Sequence, residues 1–129
     1  MYFSSAAFAR KIEKLATESW KPVNLAPAHA YLLLFVLDKP GVQPGEIAKE
    51  LMLQPSTITR FVEKLEEKNL LTRTVIGKTT NVYATNIATE LLPKLQACSA
   101  HFYSNYATIL GIEASTTLVQ TMNQVTDRL

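Results

Sequence analysis

The sequence predicts a mainly α-helical chain that carries one small β-hairpin. Apolar residues recur at helical spacing near both ends of the 129 residues, two short helical segments opened by proline flank a tight turn, and β-branched residues cluster on either side of Gly77. The change of period from 3.6 to 2 and back marks where helix gives way to strand and returns.

Each element follows from its residues. Phe8, Ile12 and Leu15, with Ala16 and Ser19 beside them, place a first amphipathic helix at about Ser5 to Trp20. Lys21-Pro22 ends it, because proline disfavours helix in the residue before it. Pro27 can open a second helix, since the first turn needs no N–H from it. Tyr31 to Leu37 is apolar on nearly every side, so this helix belongs in the core. Asp38-Lys39-Pro40-Gly41 stops it.

Pro44 and Pro55 each suit the first position of a further helix. Ile47, Ala48 and Leu51 line one face of the former; Ile58, Phe61, Val62 and Leu65 line one face of the latter. Met52-Leu53-Gln54 is the turn between them, and Asn69 supplies the left-handed residue after the second. Two helices whose apolar faces must cover each other across a short turn form a helix-turn-helix.

Leu71 to Ile76 and Asn81 to Thr85 read as strands joined by the turn Gly77-Lys78-Thr79-Thr80. From about Ile87 a long helix runs to Gly111, with Leu91, Leu95, Cys98, Phe102, Tyr106 and Leu110 on one side and a kink expected at Pro93. A last helix runs from about Glu113 to Arg128. The assembly is a winged helix-turn-helix lobe over residues 25–86, flanked by helices at 1–20 and 87–129 within a single chain.

Composition narrows the function. With 47% hydrophobic residues the chain is a folded one, and its longest apolar run, Ala30 to Leu37, is too short for the ~20 residues that span a bilayer. No secretory signal is evident at the start, and one Cys cannot form an internal disulfide; a cytoplasmic location is expected, with no membrane partner. No Ser/His/Asp order, glycine-rich phosphate loop or CxxC pair is present, so an enzyme is not expected. His29, His101, Cys98, Asp38 and Asp127 make a poor ligand set for a metal, and no cofactor is expected.

The net charge of +2 hides a local bias: Lys68, Arg73 and Lys78 meet no acid between Glu67 and Glu90. The solvent side of the Pro55 helix carries Ser56, Thr57, Thr59, Arg60, Glu63 and Lys64. Hydroxyls can bond phosphates or base edges, an arginine can bridge guanine O6 and N7, and the free N–H groups of a helix start suit a phosphate. The expected contacts to double-stranded DNA are therefore Pro55, Ser56, Thr57, Thr59, Arg60 and Lys64 from the helix, with Arg73, Lys78 and Thr79 from the hairpin. The alternative is a winged-helix protein-interaction module, which would favour apolar or acidic residues at the same positions.

Here the chain resembles a known family. Residues from Leu25 to about Leu95, and above all Gly45-Glu46-Ile47-Ala48-Lys49-Glu50-Leu51 and Pro55 to Leu71, resemble the MarR family of bacterial transcriptional regulators. The resemblance implies a homodimer that binds a pseudo-palindromic operator, in most cases as a repressor. It also implies a response either to a small aromatic effector, for which Trp20, Tyr31, Phe35, Phe102 and Tyr106 are the candidate pocket, or to thiol oxidation. Cys98 is the one thiol for the latter, though a buried thiol without nearby cations is usually inert. Asn69 stands where the family usually has glycine, and the turn around Gly77 lacks the family's Asp-x-Arg. The terminal helices also argue for the dimer, because Phe3, Phe8, Ile12, Leu118, Met122 and Val125 would form a large apolar patch on a monomer.

Overall fold

The computed structural model describes residues 1–129 and has six α-helices and one antiparallel hairpin. In chain order they are α1 (Tyr2–Trp20), α2 (Pro27–Asp38), α3 (Pro44–Leu51), α4 (Pro55–Glu67), β1 (Leu71–Ile76), β2 (Thr79–Ala84), α5 (Asn86–Leu110) and α6 (Ile112–Arg128). A single 3-10 turn, Lys21–Val23, continues α1 past its proline and stops at Asn24, whose φ of 54° is left-handed.

Three prolines sit in the first turns of α2, α3 and α4, and each is preceded by an extended residue, as proline requires. Left-handed Met52 ends α3, and left-handed Asn69 follows the end of α4. These two residues reverse the chain in a way that suits glycine best.

One apolar core joins all parts of the centre. Leu32, Leu33 and Val36 of α2, Ile47 of α3, Ile58, Val62 and Leu65 of α4, Val82 of β2 and Leu95 of α5 are fully buried, or within 1% of it, together with Trp20. Helix α2 thus lies in the middle, as its apolar run predicts. Thr85 caps α5: its hydroxyl accepts from the Ala88 N–H and donates to the Asn69 carbonyl, tying the end of α4 to the start of α5. Helix α5 passes Pro93 without interruption.

The wing is tighter than expected. Thr79 and Thr80 pair with Ile76 and Val75 inside the strands, leaving a two-residue turn of Gly77 and Lys78. Gly77 has φ +63° and Lys78 does not have positive φ, the pattern of a type II′ turn, which matches the strand twist. At the base of the wing, Val82 exchanges backbone hydrogen bonds with Gly41 and Val42, which joins β2 to the loop after α2. No helix is long and apolar enough to cross a membrane.

Candidate nucleic-acid interface

Helix α4 buries Ile58, Val62 and Leu65 and turns Ser56, Thr59, Arg60, Glu63 and Lys64 to solvent. Pro55 is also exposed and Thr57 half-buried. The Thr59 hydroxyl donates to the Pro55 carbonyl at 3.1 Å, and an Arg60 guanidinium nitrogen approaches the Thr57 hydroxyl at 3.5 Å. Ser56 and Arg60 are therefore the groups readiest to reach outward. Lys64 meets Glu67 at 3.6 Å, but both side chains are more than 60% exposed, so water screens the pair and leaves the ammonium available.

The hairpin residues divide. Lys78 and Thr79 are exposed at the tip, as expected. Arg73 is not a free cation: its guanidinium lies 2.8 Å from a Glu66 carboxylate oxygen, with both side chains about two-thirds buried. Arg73 is expected beside Arg60, Lys64 and Lys78 on one cationic face; its ion pair with Glu66 is a partner that the sequence does not show. Arg73 lies on the face of β1 that carries Leu71, and its guanidinium reaches Glu66 in the last turn of α4.

A histidine that the sequence offers only as a poor metal ligand borders this surface. His29, in the first turn of α2, meets the Phe61 ring edge to face at 4.4 Å between centroids and shares a cleft with Arg60, Glu63, Lys64 and Glu67. Burial, then the positive charges of Lys68 and Lys64, push its pKa below the ordinary value. Lys68 in turn donates to the Asn24 carbonyl. Nothing in the local sequence announces this meeting of residues distant along the chain.

The five aromatic candidates do not line one cavity. Phe102 and Tyr106 face an apolar groove with Phe8, Ile12, Leu110, Leu118 and Met122, between α1, α5 and α6. Trp20 is fully buried in the core and meets Tyr31 at 5.6 Å. Phe35 packs on the core and carries Lys39 over its ring. Burial, with a smaller contribution from nearby Tyr106, raises the Tyr31 hydroxyl's pKa. Cys98 is buried, which raises its thiol pKa and keeps it in the less reactive neutral form; it borders a cleft with Lys94 and His101.

Helix, turn, helix and hairpin around one core define the chain as a winged helix-turn-helix protein. Over that lobe it is similar to the MarR family, whose model matches residues 23–78. The transcriptional repressor MdtR of Bacillus subtilis is 31% identical over 71 residues, which are 55% of this chain and 46% of that protein. The alignment therefore spans about half the length of that relative. Among solved structures, the fold is similar to the repressor CouR bound to a 23-mer DNA duplex (TM-score 0.88, 18% identity, 98% of this chain and 92% of that one). It is also similar to CouR, a protein of Rhodococcus jostii, bound to p-coumaroyl-CoA (TM-score 0.90, 18% identity, 100% and 93%).

Proposed function

We propose that the chain is a homodimeric transcriptional repressor that binds a pseudo-palindromic operator. Helix α4 enters the major groove, where Arg60 and Ser56 read base edges and Thr57, Thr59 and Lys64 contact backbone or bases. The N–H groups after Pro55 face a phosphate, and Lys78 with Thr79 brings the wing to the backbone or minor groove. The observation that carries this reading is the exposed Ser/Thr/Arg side of α4, presented by a helix-turn-helix whose other face is wholly committed to the core.

The dimer is supported by α6, which buries only Ser115 and packs against α5. Met122 and Val125 of α6, and Tyr2 and Phe3 at the start of α1, remain exposed in one chain. Two copies meeting on these helices cover that surface and set two α4 helices roughly 34–36 Å apart, one turn of DNA. A small aromatic effector is the finer part of the proposal; it is supported by CouR, a structural neighbour that binds p-coumaroyl-CoA, whose acyl group is aromatic. Phe102 and Tyr106 are the retained candidates for holding it, in the groove between α1, α5 and α6.

The test is an anisotropy titration of the protein against a pool of random duplexes at several salt concentrations. The reading predicts binding that falls steeply with salt, as counterion release requires, and that concentrates in a minority of sequences. Absent or salt-insensitive binding overturns it.

A further inference from the structure

The wing ends in side chains that no other part of the chain covers. Val75 and Ile76 are 68% and 67% exposed, whereas Leu71 and Val82 at the base of the same hairpin are buried. They precede the Gly77-Lys78 turn directly and pair across it with Thr80 and Thr79. Side chains alternate along a strand, so Val75 shares the face of Arg73 and Ile76 takes the opposite one. The tip thus displays an aliphatic group on each face with one ammonium between them. Residues 68–89 contain no acid at all.

The base of the wing is anchored. Arg73 bonds to Glu66 of α4, and Val82 bonds to the backbone after α2, so the tip is carried on the same body as the α4 surface. A narrow aliphatic point bearing a cation, with no acid near it, matches a channel whose walls are apolar and whose rims are negative. The minor groove of duplex DNA has that chemistry: deoxyribose walls between two rows of phosphates. Aliphatic side chains are known to enter it as wedges where neighbouring base steps open easily.

We propose that Val75 and Ile76 form an aliphatic minor-groove wedge that contacts the DNA flanking each half-site, with Lys78 held on a phosphate. This rests on the DNA-binding reading above and goes beyond it by assigning the flank contact to the two aliphatic residues. It also predicts a preference. Pyrimidine–purine steps unstack readily and should be favoured in the flank, whereas stiff, narrow A-tracts should be disfavoured, because the tip has no arginine to exploit their potential.

The experiment uses the full chain and a duplex that the wild-type protein recovers from a random pool. Hydroxyl-radical cleavage reads the minor-groove sugars, and protection of guanine N7 from methylation reads the major groove. The variant Val75→Thr/Ile76→Thr keeps both positions β-branched and strand-compatible, and both are exposed, so folding does not depend on the methyl groups that are lost. Its affinity should fall about tenfold, from loss of the apolar contact alone. Sugar protection in the flanks should disappear, while guanine protection in the half-sites and the salt dependence stay as in wild type. Placing an A-tract in the flank should weaken wild type and leave the variant nearly unchanged. Equal affinity with intact flank protection in the variant overturns the wedge and leaves α4 binding standing. Failure of the wild type to recover any duplex overturns both the wedge and the reading on which it rests.

Discussion

Glutamine in place of Glu66 should weaken DNA binding, although it removes a negative charge from a DNA-binding surface. The Glu66–Arg73 pair spans 2.8 Å and links the end of α4 to the first strand of the wing. Unscreened, such a pair would attract by several kcal/mol at an effective dielectric of about 20. Its side chains are 35% and 29% exposed, so solvent and desolvation reduce the net value to about 1 kcal/mol. If the pair positions the wing, Glu66→Gln and Arg73→Met should each loosen the hairpin and reduce affinity by about fivefold. The salt dependence should barely change, because no phosphate contact is lost. The exchange Glu66→Arg/Arg73→Glu should recover part of the affinity. Anisotropy titrations over a range of salt concentrations measure all of these. Tighter binding by Glu66→Gln, with a steeper salt dependence, would instead show Arg73 to be a phosphate ligand that Glu66 restrains.

The other predictions concern single residues. Arg60→Ala should cost about 1–3 kcal/mol and relax the base preference, while Lys78→Ala should weaken all duplexes alike and flatten the salt dependence, both read by titration against matched and mismatched sites. Met52 is exposed at φ 54°, so Met52→Gly should relieve left-handed strain without losing packing. It should raise stability by about 0.5–1 kcal/mol in urea melts, more than Asn69→Gly does, since asparagine tolerates that conformation better. The His29 pKa is lowered in the folded state, so the unfolded chain binds the proton more readily. Stability should therefore decline as pH falls through the unfolded value of 6.5 and level off below the folded value. Thermal melts from about pH 7.5 to 5 should show a shallower decline in His29→Gln than in wild type.

Much of this fold was legible because its signals are local. The prolines at 27, 44 and 55 mark helix starts by covalent geometry, and Asn69 marks a stop through its tolerance of left-handed φ. The Tyr31–Leu37 run could only be central. The hairpin turn was misjudged by two residues because Thr79 and Thr80 suit both a turn and a strand; their pairing with Ile76 and Val75 decides it. What the sequence concealed depends on meetings between elements. Arg73 reads as a free cation until β1 is folded against Glu66. His29 acquires its surroundings only when α2 packs on Phe61. The five aromatics share helical spacing, yet the helices carry Trp20 into the core, pack Phe35 and Phe102 against it, and bring only Phe102 and Tyr106 to the outer groove. Val75 and Ile76 fit a strand by propensity alone, and only the tertiary structure shows that nothing covers them.

The central claim is that two copies of α4 read two related DNA half-sites. Selection of bound duplexes from a random pool by this chain, followed by sequencing, distinguishes paired from single sites. An enriched inverted repeat is expected, with half-site centres about 10 base pairs apart, the spacing that matches one helical turn. Enrichment of a single unrepeated site, or no enrichment over the starting pool, would contradict it.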